Sequence, residues 1–141
     1  MPDSPRPQQR AALLAWYLAH GERLTVAQAA RLTRLDRVNA WRLLLSLARV
    51  IPVTCEAGIW QRGPGIPRSL AYTPQQRAAL LTWHFAGGAI LTSAQAAKIT
   101  GLRRNTAYEL LCALSAVLPL YDSTALRVTT WQVTAYREAE A

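Results

Sequence analysis

Apolar residues recur at helical spacing after Pro7, and the same spacing returns after Pro74. Leu14, Leu18, Leu81 and Phe85, with Trp16 and Trp83, mark two helices whose apolar faces belong to a core or to a seam between helices. Proline suits the first turn of a helix, because its missing N–H would have no partner there. Each helix is predicted to run on to glycine, at Gly21 and at Gly87-Gly88. Thr25 and Thr92 are N-cap types, and they predict short second helices over Val26–Thr33 and Ser93–Thr100. A tight turn follows, at Arg34-Leu35 and at Gly101-Leu102, where glycine supplies a left-handed residue. Third helices are predicted to continue to about Val50 and Val117, where Pro52 and Pro119 stop them. Val53–Glu56 and Ile59–Arg62 read as a hairpin around Ala57-Gly58, and a second hairpin spans about Leu120 to Val133 with a loop over Ser123–Ala125.

The pattern repeats because the chain is a tandem duplication. Residues 7–52 align with residues 74–119 at a constant offset of 67 without a gap, and 26 of the 46 positions are identical. Past the prolines the register slips by four residues, so that Trp60-Gln61 matches Trp131-Gln132. The breakers in Gly63-Pro64-Gly65-Ile66-Pro67 mark a linker. The expected division is a first unit over 1–62, a linker over 63–70, a second unit over 71–134 and a tail over 135–141.

Helix, helix, tight turn, helix and hairpin is the order of a winged helix. The run from Thr92 to Leu111 resembles the helix-turn-helix of bacterial winged-helix regulators, especially the IclR-like type, and the resemblance covers some 55 residues of each copy. Ala30 and Ala97 stand where the first two helices of the motif cross, and Gly101 is the turn glycine. Ala40, Leu43, Leu44 and Leu47 are the buried positions of the third helix, matched by Ala107, Leu110, Leu111 and Leu114. Arg34 departs from the pattern, since glycine is usual there. The fold class implied is mainly α with small β-hairpin wings, a tandem duplicated winged helix-turn-helix.

The resemblance places the outward residues of each third helix in the DNA major groove. In copy one these are Arg37, Val38, Asn39, Trp41 and Arg42, after Asp36; in copy two they are Arg103, Arg104, Asn105, Thr106 and Tyr108, before Glu109. Arginine pairs with guanine through O6 and N7, and asparagine with adenine through N6 and N7. Only the arginine at 37 and 104 is shared, so the copies read different half-sites, or one of them has left DNA. Trp41 and Tyr108 either stack on the nucleic acid or pack on the wing. Arg62 and Arg127, near the wings, are expected to meet phosphate. The shared Gln8-Gln9-Arg10 and Gln75-Gln76-Arg77 read as surface residues, with phosphate contact as their sharper role.

Charge supports a polyanionic partner. Sixteen Lys and Arg against eight Asp and Glu give +8, and all but Lys98 of the basic residues are arginine. Only 17% of residues are charged and 51% are hydrophobic, which excludes a disordered chain and favours a covered surface. Cys55 and Cys112 cannot make a disulfide framework or a metal site by themselves. His20 and His84 do not align and lack ligand-spaced partners, and no phosphate loop, HExxH or GxSxG occurs. The expectation is a non-enzyme without cofactor or small-molecule substrate, cytoplasmic and nucleoid-associated, without a membrane span. Double-stranded DNA is the expected partner, with a homodimer or a protein partner as further candidates. No sensor domain is left over, so any effector would bind between the copies. The rival reading is a tandem winged-helix scaffold that docks other chains, of the chromosome-segregation accessory kind.

Overall fold

Each copy begins with a helix that its own sequence caps. Helix α1 spans Pro7–Ala19 and α4 spans Pro74–Ala86, each with proline in the first turn. At α4 the Thr73 side chain accepts from the Gln76 N–H, while Gln76 Oε1 accepts from the Thr73 N–H, a reciprocal capping box. The same box, Thr25 with Gln28 and Thr92 with Gln95, starts α2 (Val26–Thr33) and α5 (Ser93–Thr100). These two helices have the predicted bounds. Both end in a left-handed residue: Gly101 at φ 74° without strain, and Arg34 at φ 59°, where a Cβ carries a steric cost. Helix α3 then spans Arg37–Leu47 and α6 spans Arg104–Ser115.

This computed structural model describes residues 5–68, 73–125 and 128–133. Arg127, the end of the linker and the tail over 135–141 lie outside the described residues. The third helices stop short of the predicted Val50 and Val117. The Val50 N–H turns back to the Leu47 carbonyl at 3.0 Å and the Val117 N–H to Leu114 at 3.1 Å, tightening the chain into a turn before the proline is reached.

The wings are three-stranded. In copy one β1 (Leu24–Thr25), β2 (Val53–Glu56) and β3 (Ile59–Arg62) pair antiparallel in the order β1-β3-β2. In copy two β4 (Leu91–Thr92), β5 (Leu120–Ala125) and β6 (Val128–Val133) repeat it as β4-β6-β5. Leu24 lies opposite Trp60 and Leu91 opposite Trp131, as the four-residue slip requires. Residues Ser123–Ala125, expected to be loop, are strand instead, paired from Ser123 with Thr130 to Ala125 with Val128. The four extra residues thus lengthen the second wing. The first wing turns tightly at Ala57 (φ 52°) and Gly58 (φ 77°), the double positive φ that matches the twist of its strands.

The two copies share one core. Helices α1 and α4 pack directly on each other, and the buried apolar residues form a single cluster with members from both copies. Trp60 and Trp131 cover it from the wings and are each 4% exposed. Gln9 Nε2 donates to the Ala113 carbonyl at 3.1 Å, and Gln76 Nε2 donates to the Ser46 carbonyl at 3.1 Å. Donors and acceptors are both related by the 67-residue offset. The copies therefore pack about a pseudo-two-fold axis, the isologous arrangement of a symmetric dimer joined into one chain.

Candidate nucleic-acid interface

The turn at Gly101 sets the start of α6. Its N-cap is Arg103, whose side chain makes no capping bond, so the first N–H groups of the helix are left without a side-chain acceptor. Arg103, Arg104, Asn105 and Thr106 are all exposed around this end, and Lys98 is exposed in the last turn of α5. Helix N-termini carry a partial positive charge. Two guanidinium groups and uncapped N–H groups on one exposed helix end form a surface suited to phosphate and base edges. Tyr108, one turn later, leans edge-on against Trp131 of the wing at 6.0 Å between ring centroids and 72°. Its hydrogen bond to Cys112 is the main cause holding the phenol above its ordinary pKa. Tyr108 packs on the wing through this contact and is still 50% exposed.

The start of α3 differs. Asp36 caps it, accepting from the Asn39 N–H at 2.7 Å, and its other oxygen accepts from Asn39 Nδ2 at 3.2 Å. The carboxylate offsets the helix end, and the Asn39 amide is engaged. Arg37 is exposed beside it. Val38, Trp41 and Leu45 follow at helical spacing and are 57%, 48% and 41% exposed, an apolar stripe on the outward face. Leu45 was not singled out in the sequence because Leu43 and Leu44 precede it in the same apolar run. Arg42 points elsewhere. With Asn39 it lines a cleft between the copies.

Arg62 is placed in the seam. Nη1 donates to the Ala19 carbonyl at the end of α1, at 2.8 Å, and the guanidinium lies 5.2 Å from the ring centroid of Trp83 in the other copy. Those contacts give it a packing role that a wing position did not suggest. Trp83 is buried under it, and Trp16, half-buried against the shared core, lies 4.2 Å from His20 of the same helix with the rings tilted at 47°. The glutamines shared by both copies also depart from expectation. Gln76 is 3% exposed and Gln9 half-buried, and both cross the seam as described. Their signal in the sequence was identity between copies at polar positions. His84, in the last turn of α4, has its pKa lowered by burial and takes no part in this surface. Among the described residues no group of three or more His, Cys, Asp or Glu could hold a metal ion, and no helix is long and apolar enough to cross a membrane.

No protein-family model matches the chain, and no curated protein matches it. Among solved structures, the chain is similar to the DIP2311 protein from Corynebacterium diphtheriae at 15% identity and a TM-score of 0.41. The match covers 89% of this chain and 26% of that one. Two similar modules of helices and a β-hairpin wing, in a mainly α fold, make an architecture of winged-helix type.

Proposed function

We infer that the protein binds double-stranded DNA through copy two, with the start of α6 as the reading element, as a regulator or an architectural protein. The observation that carries this is the uncapped, exposed N-terminus of α6 with Arg103, Arg104 and Asn105 around it. Lys98 on the preceding helix adds a further charge on the same motif. Copy one is the lesser reader, because Asp36 occupies the equivalent helix end. The apolar stripe Val38, Trp41 and Leu45 favours a second role for α3, as a docking face for another protein chain.

Salt dependence of duplex binding tests the assignment. Two phosphate contacts, from Lys98 and Arg103, give a log–log slope of about −2, whereas docking of both copies gives about −5. A slope near −2 leaves the α3 face for a protein partner. Absence of duplex binding at low salt overturns the DNA reading and promotes the scaffold.

A further inference from the structure

The pseudo-two-fold produces two equivalent clefts between the copies. The first is lined by Arg10 of α1, by Asn39, Arg42 and Ser46 of α3, and across the seam by Thr73 and Gln75 at the start of α4. Its volume is about 530 Å³, and Leu35 and Leu43 give it an apolar wall. The second, about 260 Å³, is lined by the offset counterparts Arg77, Thr106, Glu109 and Ala113, with Arg6 and Gln8 across the seam. Glu109 stands where Arg42 stands in the first. The pair therefore differ in charge as well as in size: two arginines and no carboxylate line the larger cleft, while in the smaller Glu109 offsets one of two arginines, Arg6 and Arg77.

The Nε of Arg10 is sealed from solvent and has no hydrogen-bond partner among the described residues, as has that of Arg77, so an occupant of the cleft would meet Arg10 at its terminal nitrogens. In the first cleft the protein lines the space with donors and with a second guanidinium. An oxyanion is the group to which both arginines can donate together, through the planar fork that suits carboxylate and phosphate. The volume falls within the range of small-molecule sites, and the leucine wall calls for an apolar body.

We propose that the cleft between α1, α3 and the start of α4 binds a small amphipathic organic anion, its oxyanion head held by Arg10 and Arg42 and its apolar body against Leu35 and Leu43. One site per chain is expected, because the second cleft has about half the volume and Glu109 offsets one of its two arginines. Both copies line the site, so its occupant bridges them.

The probe is 1-anilinonaphthalene-8-sulfonate, an anionic head on an aromatic body, followed by fluorescence titration of the full chain. Saturation at one probe per chain is expected, with displacement by benzoate at lower concentration than by inorganic phosphate. Arg42→Glu, which places in the larger cleft the carboxylate that Glu109 supplies in the smaller, is expected to weaken probe binding at least tenfold. Arg42→Lys retains it within about threefold. Arg42 is exposed, so both variants fold, as circular dichroism checks. Trp41→Ser on the neighbouring apolar stripe leaves binding unchanged. Equal affinity in Arg42→Glu, or loss in Trp41→Ser instead, places the probe on the stripe and overturns the site. Displacement by phosphate as readily as by benzoate overturns the role given to the leucine wall.

Discussion

Replacing Phe85 with alanine is expected to cost about 3–5 kcal/mol and to lower the stability of both copies together. Phe85 is fully buried in α4, the helix that packs on α1, and it is among the largest side chains sealed from solvent. Removing an aromatic ring from such a site loses its transfer energy and leaves a cavity that close-packed neighbours only partly fill. Domains of this size are stable by about 5–15 kcal/mol, so the loss is a large share of the total. The shared core couples the copies, and the reciprocal Gln9 and Gln76 bonds tie each first helix to the other copy's third. One cooperative urea transition is therefore expected for both the wild type and the variant. Far-ultraviolet circular dichroism and tryptophan fluorescence should coincide through it. Two separated transitions, with only the second copy weakened, would show that the copies fold as independent units.

The second large effect falls on DNA. Arg104→Ala is expected to cost about 1–3 kcal/mol on a preferred duplex and to relax base preference at the position it reads. Arg104 is the first residue of α6, exposed and adjacent to the uncapped Arg103. Arg37 occupies the matching position in copy one but follows the Asp36 carboxylate, so Arg37→Ala should change duplex affinity by less than about 0.5 kcal/mol. Arg62→Ala should not flatten the salt slope, since its guanidinium serves Ala19 and Trp83 rather than phosphate. Competition binding on matched and scrambled duplexes checks all three. Equal losses on both duplexes for Arg104→Ala reduce that residue to a phosphate clamp.

Local chemistry was the legible part of this fold. Thr25 and Thr92 located the starts of α2 and α5, and the Ala57-Gly58 turn fixed the first wing. The strands β1 and β4 are two residues long and offer no alternation to read, although each completes a sheet. The longer second wing is not legible because Ser123 and Thr124 are turn-type residues; their pairing with Thr130 and Thr129 is decided by the strand opposite. Contacts across the seam were the illegible part. Gln9, Gln76 and Arg62 find partners in the other half of the chain or far along it, and polar side chains give no periodic signal when they become buried. The clefts follow from the pseudo-two-fold packing, which duplication alone permits but does not dictate. The difference between the copies was visible as residue types. The folded chain adds the Asp36 cap on one helix and the lack of a side-chain cap on the other.

The most direct measurement is a map of backbone amide shifts of the labelled full chain as a short duplex is added. Changes centred on Gly101 to Tyr108, with Val38 to Leu45 unmoved, are the expected result. Changes centred on α3 instead, or none at a duplex concentration that saturates a control winged-helix protein, would contradict the assignment of α6 as the element that reads DNA.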